Sequence, residues 1–367
     1  MAIIGTSIRI DTTEGMDKIT STEKVTTPYF SGGGTELLGA NIVTTSYANT
    51  NETYYYGISN SSTATTTEFD VTFGSLNGYG SNVETNTKAE TEAIYKQFAS
   101  LLLAPSEVTG GFQISTQGSA GLVTGRDEEI YVMLGRRSLM KDRLNKGVMD
   151  ILFTGSNGVS AGSNISLRLT DDSKTTKPTA TPAGDRYNIV SGSGGTVSGS
   201  GATYKTYGWF WPDQGIIVFS GKELSGSIPG AGLAASSSLA AQFNSIKSTG
   251  FGYPTTTNGD KNVALRLINC LKAPGGKLSF RDEEDQVSAQ YFCRVRSGHM
   301  NFSNNPTFTS GNLNELRNKK MKGNPSTFIT SVQLHNASGD IVAVGNLSKP
   351  LKKNFTSEAT IKVKLTY

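Results

Sequence analysis

Apolar and polar residues alternate along several short segments of the chain. The period of two is clear at 69–73, 165–169, 291–295 and 361–367. Such alternation predicts strands with one buried and one wetter face. Residues 130–134 are apolar throughout, which is typical of a strand buried on both faces. Turn residues recur between these segments, so the pattern predicts an antiparallel arrangement.

A helical period occurs at one place with clear boundaries. Thr87 and Glu90 have the spacing of a capping box, four apolar residues between 94 and 102 fall on one helix face, and Pro105 follows. The pattern predicts a helix over about 87–103, the longest of the chain. A second, smaller helix is expected around 239–246.

The last forty residues carry the strongest local signals. Residues 332–344 read as a hairpin, because Asn, Ser, Gly and Asp at 336–340 favour a tight turn. A basic elbow at 349–353 and a final strand over 359–367 follow. Pro350 lacks a backbone donor, so we expect the elbow to lie outside the strand pairing. We further expect the hairpin and the final strand to share one sheet.

These elements predict an α+β fold that is predominantly antiparallel β, with long polar loops and one clear helix. Composition divides the chain into three regions. Residues 1–170 are β-rich and contain the helix, and residues 171–260 hold a Ser/Gly-rich excursion and an aromatic segment. Residues 261–367 form a C-terminal antiparallel region that we expect to share a sheet system with the first.

Composition narrows the classes of function. Charged residues make up 17 % of the 367 residues, there are 42 glycines, and the net charge is +4. This mild basicity does not indicate a nucleic-acid binder. No segment has the length of an apolar membrane span, and the N-terminus lacks a signal-peptide pattern. Cys270 and Cys293 lie in apolar settings, so we expect two reduced, buried thiols.

Candidate catalytic residues are few. His299 and His335 stand alone, and no nucleophile motif or zinc-ligand spacing accompanies them. The acidic clusters at 127–129 and 282–285 could supply a carboxylate pair. Each sits beside an arginine at the start of a strand, where solvated turn charge is the simpler interpretation. The glycine-rich run at 192–201 matches no phosphate-binding motif. We therefore expect no enzyme activity, no metal and no cofactor.

Aromatic and basic residues are the candidates for an interface. The segment 207–215 groups large aromatic residues before a Pro-Asp turn, and basic residues flank three turns. Core packing of the aromatics and solvated loop charge are the alternatives to binding. The candidate interface residues are Trp209, Trp211, Arg136, Arg137, Lys319, Lys320, Lys349, Lys352 and Lys353.

Four segments together carry a resemblance to a known group of proteins. They read TEAIYKQFASLLL, EIYVMLGRRSLMKDRLNKG, SAQYFCRVRSGHMNFSNNPTF, and NPSTFITSVQLHNASGDIVAVGNLSKPLKKNFTSEATIKVKLTY. The chain resembles virion structural proteins of contractile-tailed bacteriophages, especially marine and cyanobacterial phages, over most of its length.

The resemblance implies a non-enzymatic tail or baseplate component. Such a protein is made in the host cytoplasm, resides in the virion, forms a homo-oligomer or is present in several copies, and contacts other virion proteins. The alternative is a receptor-binding adhesin of the tail whose aromatic residues hold host carbohydrate. The position within the virion, the copy number and the neighbouring proteins are left open by the sequence.

Overall fold

The structure is a computed structural model. It describes residues 17–29, 36–46, 54–63, 66–78, 81, 89–114, 125–156, 164–198, 205–225, 263–273, 275–303, 305–311, 313 and 315–367. The small helix expected around 239–246 lies outside these residues. The chain divides into two compact units: unit 1 comprises residues 1–24 and 285–367, and unit 2 comprises residues 25–284.

The described residues are mostly strand. The strands are β1 Lys18–Tyr29, β2 Leu37–Leu38, β3 Ile42–Ser46, β4 Tyr55–Asn60, β5 Thr67–Ser75, β6 Glu129–Gly135, β7 Arg143–Leu144, β8 Asp150–Ser156, β9 Asn164–Asp171, β10 Thr179–Thr181, β11 Gly184–Ser193, β12 Thr196–Val197, β13 Thr206–Trp211, β14 Ile216–Ser220, β15 Lys277–Ser279, β16 Arg281–Val295, β17 Thr309–Ser310, β18 Glu315–Leu316, β19 Thr327–His335, β20 Ile341–Lys353 and β21 Ala359–Thr366. The helices are α1 Glu90–Leu102, α2 Pro105–Val108, α3 Gly221–Ser225 and α4 Val263–Lys272.

The strand pairing confirms the predicted fold class. Neighbouring strands of the large sheet of unit 2 are antiparallel, as in the pairs β5 with β6, β6 with β14, and β8 with β15. The pairs β16 with β21 and β19 with β20 are antiparallel as well. The fold is therefore predominantly antiparallel β, with few helices.

Unit 2 is built on one large sheet that closes on itself. Its strand order is β2-β15-β8-β9-β11-β13-β14-β6-β5-β4-β3. The two ends of this order, β2 and β3, are consecutive in the chain and separated only by the 3-10 turn Gly39–Asn41. The amide of Gly39 donates to the carbonyl of Gly276 at 2.7 Å, which joins that turn to the segment before β15.

Helix α4 fills the inside of this curled sheet. It contacts β8 and β15 near one end of the strand order and β3, β4 and β5 near the other. Seven of its ten residues are buried, and the other three, Leu265, Asn269 and Lys272, lie together on one side of the helix. A helix with so broad a buried side must be largely enclosed by protein. The sequence analysis did not predict this helix, although Arg266, Asn269 and Lys272 recur at helical spacing among its apolar residues.

Helix α1 covers the outer face of the sheet. Ile94, Phe98 and Leu102 are buried as the helical period predicts, but Leu101 is 52 % exposed. The described helix begins at Glu90, and Thr87 of the expected capping box lies outside the described residues. Ser81 caps the helix instead: its hydroxyl accepts from the amide of Thr91 at 3.0 Å.

The two faces of β6 confirm the prediction of a strand buried on both sides. Ile130 and Val132 belong to the apolar cluster beneath α1. Tyr131 and Met133 belong to the cluster that surrounds α4. The unbroken apolar run of this strand thus serves two separate cores.

The excursion expected after residue 171 is in part a structural strand. β11 pairs with β9 on one side and with β13 on the other, in the middle of the large sheet. Its end forms a hairpin with β12 across Gly194 and Gly195, whose φ angles are positive. Serine and glycine favour loops, but here the glycines allow the tight turn between β11 and β12 and let these two strands lie close together. The three regions expected from composition do not coincide with the two units, because strand pairing joins distant segments.

Unit 1 contains the C-terminal elements, in an arrangement that differs from the expected one. β19 and β20 form a two-stranded sheet of their own. β21 does not join them: it pairs with β16 along eight residue pairs, from Ser288 opposite Thr366 to Val295 opposite Ala359. The prediction of one sheet for hairpin and final strand is therefore wrong. The hairpin itself is confirmed.

Candidate interaction surface

The two tryptophans expected at an interface lie in the core of unit 2. Trp209 and Trp211 are 3 % and 0 % exposed on β13, a strand whose every residue is buried. The indole nitrogen of Trp211 donates to the hydroxyl of Thr181 at 3.0 Å. The guanidinium of Arg186 lies 3.8 Å from the centre of a Trp209 ring. The proposed aromatic binding patch is thus wrong, and core packing is correct.

Arg136 and Arg137 are exposed in the turn that follows β6. The amide of Arg136 donates to the carbonyl of Glu68, and Nη1 of Arg137 donates to the carbonyl of Asp142 at 2.8 Å. Both belong to unit 2, whereas the candidate lysines belong to unit 1. The Arg137 side chain thus braces the turn after β6, and the backbone of Arg136 links that turn to β5.

Lys353 was expected on an exposed basic elbow, and the structure corrects this expectation. Its side chain is fully buried, and Nζ donates to the carbonyls of Ser297 and Asn354 and to Oδ1 of Asn301, at 2.8–3.0 Å. Successive side chains of a strand point to opposite faces. Lys352 is therefore exposed while its neighbour Lys353 points inward.

The other four candidate lysines, Lys319, Lys320, Lys349 and Lys352, are exposed. They belong to a strongly basic part of the chain. Residues 285–367 contain eleven Lys and Arg residues against four Asp and Glu residues. The whole chain carries only +4, so the remainder is slightly acidic. The mild overall basicity conceals this asymmetry.

The hairpin formed by β19 and β20, termed the arm from here on, is exposed on one face, while Val332, Leu334 and Ala343 on the other face are partly or fully buried. Only Leu334 and Lys353 are buried among the residues of its two strands. At about 3.3 Å per residue, β19 is on the order of 30 Å long. A two-stranded hairpin in water is marginally stable on its own. The arm therefore lacks the covering that a hairpin of this length normally has.

The tip of the arm is a well-bonded turn, as the sequence predicts. The amide of Asn336 donates to the carbonyl of Asp340 at 3.0 Å, and the amide of Asp340 returns a bond to Oδ1 of Asn336 at 2.8 Å. Gly339 has a φ of 89°, a left-handed conformation that glycine adopts without strain. A ring nitrogen of His335 lies 3.0 Å from the carbonyl of Gly339. These bonds give the turn a defined conformation next to exposed apolar residues of β20.

Three β-branched residues beside this turn form the tip patch: Ile341, Val342 and Val344. They are 55 %, 61 % and 58 % exposed. The apolar run is visible in the sequence, but the sequence does not indicate that it is exposed. Ladder register places Ile341 and Val344 opposite His335 and Gln333, on the face away from Leu334, and the ladder is irregular at Val342. Apolar residues that are exposed together, rather than singly, are candidates for a contact site.

The base of the arm is held to its own unit by polar contacts. The Lys353 ammonium bonds the segment 297–301. The hydroxyl of Thr327 donates to the carbonyl of Met300 at 2.6 Å, and the amide of Phe355 donates to Oδ1 of Asn324 at 3.1 Å. These bonds fix the point at which the arm leaves the rest of unit 1.

The basic elbow lies only partly outside the strand pairing. Between the paired blocks of the ladder, Thr330 faces the four residues 347–350. Pro350 lies in this bulge, where its missing donor breaks no bond. Lys349 is also in the bulge, while residues 351–353 rejoin the ladder. The expectation of an elbow wholly outside the pairing therefore holds for Lys349 and Pro350 alone.

The acidic clusters are more buried than the sequence suggests. The Asp127 carboxylate accepts from the amide of Ile114 and from the hydroxyl of Ser220, both at 2.5 Å. Burial, with the nearby charges of Glu128 and Asp127, raises the pKa of Glu129 to about 7. The expectation of solvated turn acids is wrong for Asp127. Its hydrogen bonds hold the segment after 125 in place.

The second acidic cluster lies on β16. Glu283 is buried with Oε1 3.3 Å from Nε of Arg143, and Asp282 accepts from the amide of Lys141 at 3.1 Å. Burial raises the pKa of Asp282 to about 6. These carboxylates join β7 and its preceding turn to β16, so they too are structural rather than solvated.

A cavity of about 560 Å³ lies beside α1 and is lined in part by Tyr95, Lys96, Gly111 and Arg126. Its central polar groups already have partners. The Tyr95 hydroxyl donates to the carbonyl of Asp127 and accepts from the amide of Phe112, and Arg126 donates to two carbonyls.

Within the described ranges, no cluster of three His, Cys, Asp or Glu side chains could hold a metal. No helix among those residues is long and apolar enough to span a membrane.

The chain matches no protein-family model, no curated protein and no solved structure.

Proposed function

We propose that this protein is a non-enzymatic structural component of a tailed-phage virion, in the tail or baseplate, and that the arm attaches it to other virion proteins. The observation that carries the proposal is the exposure of one face of the arm together with its apolar tip patch. The resemblance of four sequence segments to such virion proteins supplies the biological setting.

The energetics of the arm support an attachment role. Folding a hairpin orders the backbone at about 1–2 kcal/mol per residue, and burial of apolar side chains normally offsets this cost. In the arm Leu334 is the one fully buried apolar side chain, and Ile329, Val332 and Leu347 are only partly buried. The exposed tip patch would supply the missing burial when a partner covers it. An arm that is completed by its neighbour is suited to stepwise assembly.

The position of the base supports the same role. The Lys353 contacts and the Thr327 hydroxyl fix where the arm leaves its unit. A fixed origin limits the orientations that the tip can adopt, which reduces the entropy lost on docking. For a component of a particle, such pre-organisation would make docking faster and fix the orientation of the docked protein.

The structure offers no exposed tryptophan site of the kind that the adhesin alternative requires. The two tryptophans that would hold a sugar ring are enclosed in unit 2. No observation on the described residues favours carbohydrate over protein as the ligand.

The test is the content of purified particles. Mass spectrometry of phage particles whose genome encodes this chain should detect it at a fixed ratio to a tail protein. Antibody raised against the recombinant protein should label the tail region in electron micrographs. A chain that is abundant in infected cells but missing from washed particles would overturn the proposal.

A further inference from the structure

The arm presents two chemically different surfaces along its length. The tip patch at one end is apolar, with Asp340 and His335 as its nearest ionisable residues in the chain. Lys349 and Lys352 lie at the other end of β20, and the loop that contains the basic residues at 319–322 leads directly into β19. Val344 and Lys349 are five positions apart, which corresponds to about 17 Å of extended chain.

Resting on the proposed function, we infer that the partner of the arm is a different protein whose surface has an apolar recess for the tip patch and an acidic area for the basic base. Burial of the tip patch would provide most of the affinity. The lysines would accelerate and orient docking, since exposed charges act mainly on association rate.

Charge selects a different protein over a second copy of the arm. With eleven basic and four acidic residues in 285–367, like charge disfavours two arms that lie side by side. Two tip patches that met end to end would bury the apolar residues but leave each basic base without an acidic partner. A different protein with an acidic area complements both ends of the arm.

The basic base alone does not indicate nucleic acid. Single-strand binders usually stack bases on aromatic side chains. The exposed Phe328 of the arm lies opposite Lys352 at the base, so stacking there would leave the aliphatic tip patch uncovered. A protein surface can cover the apolar tip patch and pair with the basic base at the same time.

The experiment uses full-length protein added to particles that lack it, with incorporation measured over time. Val342→Asp should lower the amount incorporated at least tenfold at every salt concentration. Leu313→Asp is the matched control, because Leu313 is 85 % exposed in the same unit outside the arm, and it should incorporate normally.

The second part of the experiment compares two double variants with the same loss of charge. Lys349→Gln with Lys352→Gln should slow incorporation severalfold at low salt, with little effect at high salt. Lys362→Gln with Lys364→Gln, on exposed positions of β21, should incorporate at the parental rate. Equal slowing by the two pairs would contradict a specific basic base.

Photo-crosslinking identifies the occupant. A benzophenone residue at position 342 should link to an apolar segment of another protein, and one at 349 to a segment with an acidic excess. Links to the arm of a second copy, to nucleic acid or to a segment without acidic excess would overturn the inference. If added parental protein never enters particles, the proposed function itself fails. If it enters and Val342→Asp enters equally, only the inference about the partner fails.

Discussion

Nζ of Lys353 donates to the side-chain oxygen of Asn301 at 2.8 Å, and both residues are almost wholly buried. Two backbone carbonyls complete the hydrogen bonding of the ammonium. The residue that the sequence placed on an exposed docking elbow thus fixes the base of the arm.

Removing this ammonium should destabilise unit 1. Lys353→Met removes the donor to the buried Oδ1 of Asn301 and to the carbonyl of Asn354, whereas the carbonyl of Ser297 keeps a bond from Nδ2 of Asn301. Each unsatisfied buried group costs roughly 1–3 kcal/mol. We expect a loss of about 2–4 kcal/mol in the free energy of unfolding, measured by urea denaturation. Lys352→Met, on the exposed face one residue earlier, should change it by less than about 0.5 kcal/mol. Equal effects of the two substitutions would show that the Lys353 contacts contribute nothing.

Closure of the large sheet around α4 gives a second prediction. A Cβ on Gly39 would lie 2.5 Å from the carbonyl oxygen of Leu271 and 2.8 Å from that of Ala273. Gly39→Ala should therefore cost more than about 2 kcal/mol of stability in unit 2, since backbone atoms must move. Gly345→Ala is the control, because nothing lies within 4 Å of its Cβ position. Thermal unfolding of both variants measures the difference, and a harmless Gly39→Ala would contradict the closure.

Glu129 should make stability depend on pH near neutrality. Its folded-state pKa is raised, from 4.5 to about 7. The stabilisation of the protonated form is fully present below pH 4.5 and is lost as pH rises through 7. Glu129→Gln should match the parent near pH 4.5 and be more stable at about pH 8, by on the order of 1 kcal/mol because the carboxyl is partly solvated. A difference that does not change between these pH values would refute the raised pKa.

The two thiols should react at different rates. Cys270 is buried in α4 inside the curled sheet, and burial raises its pKa. Cys293 is only half-buried on β16, which corrects the expectation that both are buried. A maleimide reagent should label Cys293 first and Cys270 only on unfolding. The variant Cys293→Ser should then show no early phase, and fast labelling of that variant would place Cys270 at the surface.

Local chemistry explains which elements the sequence predicted. The turn at Asn336 and Gly339 needs only neighbouring residues, and the two faces of β6 follow from an unbroken apolar run. Pairing of β21 with β16 joins residues about 70 positions apart, and no local signal chooses that partner over the adjacent hairpin.

The candidate surface was predictable only in part. Exposure of Lys349 and Lys352 follows from their residue type, and burial of Lys353 could have been found from the alternation of side chains along a strand. The exposure of Val342 and Val344 could not have been predicted, because it depends on whether other parts of the chain pack against them. Trp209 and Trp211 show the reverse: aromatic residues enriched at contact sites also fill cores.

A density map of the assembled particle with this chain traced is the most direct test of attachment by the arm. We predict that the chain occupies the tail or baseplate and that Ile341, Val342 and Val344 are buried against another protein there. A particle in which the arm ends in solvent, with the chain held through other surfaces, would contradict the account.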